Sequence, residues 1–388
     1  MSQDFEDRDP FVGRPRCWLV GVRLGSQPVL EVEEHLDELK GLATAAGGRV
    51  RGQTIQNRDK PDPGAYVGKG KAEQIGASVK EHEIDLVLFD DDLTASQIKV
   101  LEELTGAAVM DRSGLILEIF HQRARTSEAR TQVELARLRY LLPRLTRRWG
   151  HLSRQQGGIG VRGGEGETQL EADRRMLRTR IQKLERDLKS IERTRKVQRR
   201  NRRGVPEVAL AGYTNAGKST LFNRLTGSHT LVRDQVFATL DSKLRRGHLA
   251  AGKVAVFADT VGFIRKLPHH LVASFRSTMG QVHAADLVLH VVDRSHEVWE
   301  EQQTVARDVL QDLEVDPERV VLVHNKIDRL NGHRPSSEPL GYGADIFEVS
   351  ATTGEGVEEL RRHLAFRLYG LSESASEDEL WLQTATAG

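Results

Sequence analysis

The chain has 388 residues, 38% of them hydrophobic and 29% charged, the balance of a soluble globular protein long enough for two or three domains with cores of their own. No apolar run approaches the ~20 residues a membrane helix needs and no basic-then-apolar export signal opens the chain, so no membrane span is expected and any membrane association would be peripheral. The single cysteine, Cys17, excludes an internal disulfide and makes the cytoplasm the expected compartment.

The net charge is only +1, but it is segregated: residues 121–203 hold 24 Lys or Arg against 9 Asp or Glu, a local +15 on a body at −14. Such asymmetry predicts a basic arm that binds nucleic-acid phosphate.

Residues 1–15 are polar and expected to be disordered. Over 16–112, strands at 18–22, 49–53, 85–89 and 107–110 alternate with helices at 31–46, 71–81 and 94–104, the pattern of a small α/β subdomain on a parallel sheet. Within it, Gly68-Lys69-Gly70-Lys71 reads as a turn and not a second phosphate site, because no strand leads directly into it and no Ser or Thr follows the lysine. Asp90-Asp91-Asp92 reads as the acidic start of the next helix, not as a cation site.

Residues 113–203 form the basic arm. A helix over 128–145 carries Leu135, Leu138, Leu142 and Leu145, with Pro143 expected to kink or end it. A second helix over 168–200 places Leu170, Leu177, Ile181, Leu184, Leu188 and Ile191 on a heptad seam. The two stripes predict a long antiparallel helical hairpin with its Arg and Lys side chains outward. Its tip, 155–167, contains Gly157, Gly158, Gly160, Gly163 and Gly164 around Arg162. Connections between packed helices are usually shorter, and glycines allow close backbone approach, so this tip is read as a recognition loop ahead of the alternative, a merely flexible hairpin tip.

Residues 204–370 read as a nucleotide domain, with strands at 207–211, 244–249, 254–258, 287–292, 320–324 and 346–349 in a doubly wound, mostly parallel sheet. The tail, 371–388, is short and acidic. At the end of the first strand, Gly212-Tyr213-Thr214-Asn215-Ala216-Gly217-Lys218-Ser219-Thr220 fits the phosphate-loop pattern. Its backbone N–H groups and helix N-terminus would face phosphates, Lys218 would reach the β- and γ-phosphates, and Ser219 would ligate Mg²⁺. Asp259-Thr260-Val261-Gly262 follows another strand; Asp259 would hold Mg²⁺ through water and the Gly262 N–H would sense the γ-phosphate. In Asn325-Lys326-Ile327-Asp328 the Asp328 carboxylate can accept from guanine N1–H and the 2-amino group, which adenine cannot supply, while Asn325 and Lys326 brace the phosphate loop and cover the base. Ser350-Ala351-Thr352 would donate a backbone N–H to guanine O6.

Between these segments, Phe237-Ala238-Thr239-Leu240-Asp241 holds the threonine expected to swing onto Mg²⁺ when a γ-phosphate draws it in, with Thr230 as the alternative. Lys218, Thr239 and Gly262 are thus the expected catalytic set, GTP the substrate and Mg²⁺ the cofactor. Phe263 stands where Ras-like enzymes carry a water-orienting glutamine, so intrinsic hydrolysis should be slow and dependent on a partner.

Gly157 to Arg175, together with Arg123 to Thr126, Gln132 to Ala136 and the phosphate loop, closely resembles the HflX family of translational GTPases, over about residues 16–370. The resemblance implies a monomeric GTPase that binds the large ribosomal subunit and, with GTP, splits stalled or stress-inactivated 70S ribosomes. It also implies that the hairpin loop reaches 23S rRNA near the peptidyl-transferase centre. Two other readings remain open from the residues: a GTP-gated rRNA-binding assembly factor without splitting activity, and an RNA-remodelling protein that also uses ATP, against which Asp328 counts.

Overall fold

The computed structural model describes residues 11, 13–25, 27–145, 165–200, 204–228, 236–237, 240, 243–266, 276–330 and 345–371. The chain divides into two compact units, residues 1–189 with 268–274 and residues 190–267 with 275–388.

In the first unit, β1 (Arg16–Leu24), β2 (Arg49–Arg58), β3 (Leu86–Phe89) and β4 (Ala108–Asp111) form a parallel sheet in the order β2-β1-β3-β4. Helices α1 (Val29–Ala45), α2 (Lys69–Glu81) and α3 (Ala95–Thr105) make the crossovers. Strand side chains alternate between faces. Trp18, Val20, Val22, Val87 and Phe89 pack with Ala72, Ile75, Val79 and Leu101 of α2 and α3, and the intervening Leu19 and Leu88, also buried, face the other way. The strands β1 and β2 run longer than their hydropathy predicts, because parallel pairing continues from Arg16↔Arg49 to Leu24↔Arg58 through the polar residues of an edge strand.

Gly68 (φ 87°) precedes α2, and Lys69, Gly70 and Lys71 are the first residues of that helix, so the Gly-Lys repeat opens a helix where the pattern suggests a separate turn. The reading of Asp90 to Asp92 as the start of α3 is corrected. Thr94 caps α3 in a capping box with Gln97, while Asp90 accepts from buried Arg112 at 2.6 Å and Asp92 from Ser113. Arg112 also pairs with Glu38. These partners open α4 (Arg112–Arg123), where no element is predicted. Leu115, Ile116, Leu117, Ile119 and Phe120 are all buried, and a helix enclosed on all sides shows no amphipathic period.

The arm's first helix is α5 (Ser127–Leu141), and Pro143 lies in a 3₁₀ turn that ends it. The second is α6 (Glu165–Arg200), which takes in residues 165–167 of the predicted loop. Its seam residues Leu177, Ile181, Leu184 and Leu188 are buried. Arg139–Glu185 and Arg180–Glu134 link the helices, and Arg174 donates to the Leu145 carbonyl at 3.2 Å.

The second unit holds β5 (Glu207–Ala211), α7 (Lys218–Thr226), β6 (Lys243–His248), β7 (Val254–Asp259), α8 (Arg276–Ala284), β8 (Leu287–Asp293), α9 (Trp299–Asp312), β9 (Val320–Asn325), β10 (Ile346–Glu348) and α10 (Val357–Tyr369). The sheet order is β10-β9-β8-β5-β7-β6, parallel except for the edge strand β6. Its core joins Val208, Leu210, Leu289, Val291, Val321 and Val323 to Leu221, Phe222, Leu360 and Leu364 of α7 and α10.

His290 and His324 lie buried in this unit. Burial is the chief cause that pushes their imidazoles down, to about 3 and about 4, with His324 and Lys218 adding to the shift of His290 and Arg294 to that of His324. An unfolded histidine titrates near ~6.5, so below that pH the unfolded chain binds more protons than the native one. The stability is fully present above pH ~6.5 and is lost as pH falls toward the native values. Unfolding free energy should therefore drop by about 2 kcal/mol per histidine between pH 7 and pH 5, measured by urea denaturation of the full chain; His324→Phe should shrink the drop, and an unchanged pH slope would show that His324 titrates normally.

Candidate nucleotide site

The carboxyl ends of β5, β7, β8 and β9 converge, which is where open α/β sheets bind ligands. The phosphate loop leaves β5 and enters α7 through Gly217 (φ 92°), and a Cβ on Gly217 would lie 2.2 Å from Asn325 Nδ2. The loop can run this close to its neighbour only without a side chain. Asn215, at φ 63°, is exposed at its crest.

Lys218 is buried and donates to the carbonyls of Gly212 at 3.0 Å and Tyr213 at 2.6 Å. Burial is the main cause that brings its ammonium down to about 8; Asp259 opposes the shift and Lys326 adds to it. The loop thus holds a cation against its own carbonyl oxygens, beside the N-terminus of α7, an arrangement suited to a polyanion. Ser219 Oγ donates to Asp259 Oδ2 at 2.8 Å. This hydroxyl and carboxylate, both hard oxygen donors at the edge of the phosphate loop, fit a magnesium ion.

The segment after Asp259 lies against the same loop. Thr260 Oγ1 donates to the Leu210 carbonyl at 2.6 Å, and Val261 is buried. A Cβ on Gly262 would fall 2.8 Å from Thr214 Cγ2 and 3.0 Å from Lys218 Nζ. The backbone of Phe263 pairs with the loop on both sides: Thr214 N–H donates to its carbonyl at 2.7 Å, and its own N–H donates to Gly212 O at 3.0 Å. Arg265 N–H donates to the Tyr213 hydroxyl at 3.0 Å. With its main chain so held, the Phe263 ring is wholly buried.

Asn325, at the end of β9, joins two loops. Its Nδ2 donates to the Ala216 carbonyl at 2.9 Å, and its Oδ1 accepts from Ala351 N–H at 3.0 Å. Asp328 is exposed on the short 3₁₀ turn Ile327–Arg329 that follows. The Ser350 N–H is taken by the Glu355 carbonyl at 2.9 Å. A guanine oxygen at this turn would therefore share the Ala351 N–H with Asn325 or take that of exposed Thr352. Arg224, which no motif marks, braces the turn by donating to the carbonyls of Ala351 and Thr352; its place near the end of the helix leaving the phosphate loop is the only hint in the sequence. Thr214 is buried and Thr220 half-buried within the same loop.

Phe237 and Leu240 of the first-switch segment are buried. Ala238, Thr239, Asp241 and the alternative Thr230 lie outside the described residues, as do Gly157, Gly158, Gly160, Arg162, Gly163 and Gly164 of the arm's loop. Among the described residues no helix is long and apolar enough to cross a membrane.

Residues 33–121 match the family profile described as the N-terminal region of GTP-binding GTPases, residues 123–202 that of their middle region, and residues 207–326 that of 50S ribosome-binding GTPases. The GTPase HflX of Magnetococcus marinus is 49% identical over 331 residues, 85% of this chain and 76% of its own length. That of Escherichia coli K12 is 45% identical over 345 residues, 87% of this chain and 80% of its own. A GTP-binding protein of Sulfolobus solfataricus, solved in complex with GDP, aligns over 92% of this chain and 100% of its own at 24% identity and a TM-score of 0.47.

Asn325→Ala should remove both cross-links at once. The expected outcome is at least about tenfold weaker binding of a nucleoside diphosphate, by titration calorimetry, and a loss of about 1–3 kcal/mol in unfolding free energy because the Ala216 and Ala351 groups lose their partner; unchanged affinity would exclude the carboxamide as the organiser of the site.

Proposed function

The chain belongs to the HflX family of GTPases, and from that premise we propose that its GTP hydrolysis serves to separate ribosomal subunits, with the basic arm on large-subunit RNA near the peptidyl-transferase centre. The observation that supports the guanine-nucleotide part is the Asn325 carboxamide, which ties the phosphate loop to the turn at Ala351 and stands three residues before Asp328, exposed on the turn that follows. The ribosomal part is supported by the local charge of +15 over residues 121–203 and by the glycine-rich stretch within it. The chain is a GTP hydrolase, and its phosphoryl transfer rests on positioning and electrostatics with no covalent intermediate.

Lys218 and the N–H groups at the start of α7 would stabilise charge on the β- and γ-phosphate oxygens as the terminal bond breaks. Gly262, packed against Thr214 and Lys218, would offer its N–H to the γ-phosphate. Ser219 and Asp259 would hold Mg²⁺, which when bound neutralises charge between the phosphates; Thr239 would join them from the first switch. Nothing at position 263 orients the attacking water, since that side chain is apolar and buried. A partner that orders the switches or donates the missing group should therefore accelerate the reaction.

The ribosomal reading is tested by sedimenting 70S ribosomes with the protein and GTP, GDP or a non-hydrolysable GTP analogue. Splitting with GTP and the analogue but not GDP is expected, with steep weakening of binding by salt. Binding without splitting would favour an assembly factor instead. Deleting residues 157–166 should abolish splitting and leave nucleotide affinity intact.

Within the site, Asp328→Asn should relax the preference for guanine over other purines, read from competition binding. Phe263→Gln should leave the intrinsic GTPase rate within about twofold of wild type, because the backbone pairing with Gly212 and Thr214 aims the side chain into the core; a rise of tenfold or more in single-turnover assays would show that the segment is free to turn.

A further inference from the structure

Asp293 closes β8, the strand between the phosphate-loop strand β5 and the Asn325 strand β9, and belongs to none of the segments assigned above. Its Oδ2 lies 2.6 Å from Lys326 Nζ, and the two side chains are only 10% and 15% exposed. Its other oxygen is fully used: Oδ1 accepts from Ser295 N–H at 3.0 Å and from Ser295 Oγ at 2.6 Å. That closed turn fixes the plane of the carboxylate and directs Oδ2 at the lysine. The surrounding backbone is equally constrained. Asp293 is in register with Asn325, and Arg294 N–H donates to the Asn325 carbonyl at 3.0 Å.

Lys326 itself sits in the left-handed region at φ 64°, immediately before the turn that carries Asp328. Its stem runs beside the phosphate loop, with Cε 3.8 Å from the point where a Cβ on Gly217 would stand. Two ammonium groups therefore flank one loop, and the charge of Lys326 adds to the lowering of the Lys218 ammonium that burial chiefly causes. Without a counter-charge Lys326 would be free to fold toward the bound phosphates and leave the face of the purine open. A partly buried ion pair is a weak source of stability on its own, so its value here lies in where it holds the chain.

We propose that Asp293 is a positioning residue for nucleotide recognition: it draws the Lys326 ammonium off the phosphate loop so that the methylene stem of Lys326, and not its charge, walls the purine. The inference rests on the guanine-nucleotide reading of the site. It makes Asp293 act through Lys326 and through nothing else, which a double-mutant cycle can read.

The full chain is used as wild type, Asp293→Asn, Lys326→Met and the double variant, with Kd for GDP from titration calorimetry and KM and kcat for GTP from steady-state hydrolysis. The amide keeps the hydrogen bonds from Ser295 and removes the charge. Asp293→Asn should weaken GDP about tenfold and raise KM for GTP by a similar factor, while kcat at saturating GTP stays within about twofold. On the Lys326→Met background the same change should cost less than about twofold. Unaltered affinity in Asp293→Asn, or an equal loss in both backgrounds, would overturn the proposal, the second outcome showing that Asp293 acts through the fold. Should Asp293→Asn not fold, Ser295→Ala leaves both charges in place and loosens only the turn; an intermediate loss of GDP affinity supports the proposal, and no loss overturns it. Failure of the wild-type chain to bind GDP would instead remove the guanine reading, and this inference with it.

Discussion

A single carboxamide organises the nucleotide site. Asn325 is buried, and its two polar atoms reach segments 109 residues upstream and 26 residues downstream in the chain, the carbonyl of Ala216 and the N–H of Ala351. Each of those segments is a loop, and a loop by itself has no fixed shape. The strands that carry them supply only a starting point and a direction. The carboxamide turns three such starting points into one geometry, because a buried donor or acceptor left without its partner is expensive. Gly217 completes the arrangement by lacking the atom that would collide with Asn325.

The first unit obeys the same rule with charge in place of an amide. Asp111 has no exposed surface and accepts from four donors: Leu93 N–H, Gly114 N–H, the Tyr140 hydroxyl and Arg144. Arg144 also lies 3.7 Å over the Tyr140 ring and donates to the carbonyls of Tyr140 and Leu93. Burial is the first cause that raises the Tyr140 phenol well above its ordinary value, with Asp111 adding to it, so the hydroxyl remains a donor throughout the physiological range. The end of α5 is therefore fastened to the carboxyl edge of the sheet by a neutralised charge. A stretch of the chain with a local charge of +15 over residues 121–203 has its root in a closed network of hydrogen bonds.

The residue after Gly262 joins structure to chemistry. An apolar ring there cannot orient water, and the backbone pairing of Phe263 with Gly212 and Thr214 accounts for where the ring goes. Switch and phosphate loop share two main-chain hydrogen bonds, so movement of one is felt by the other. A GTPase built this way has the groups to bind phosphates and stabilise charge, and lacks at this position the group that would time the reaction.

Much of this was legible in the residues alone. The phosphate loop, Asp259, Asn325 and Asp328 each follow a predicted strand, and the hydropathy of those strands is enough to line up their carboxyl ends, because a parallel sheet leaves its loops on one edge. The seam of α6 was equally plain, since a heptad repeat is a local property of the chain. Other features needed the tertiary structure. Helix α4 has no period to detect because every face is covered, and the polar residues of β2 become a strand only through pairing with β1. Asp90 looks like part of the acidic start of a helix until Arg112, 22 residues on, is seen to pair with it in the interior. Local pattern determined which chemistry each segment carries. Which side chain meets which, Asn325 with Ala216 and Ala351, Asp293 with Lys326, was decided only by the packed fold, because those contacts join residues that no sequence period relates.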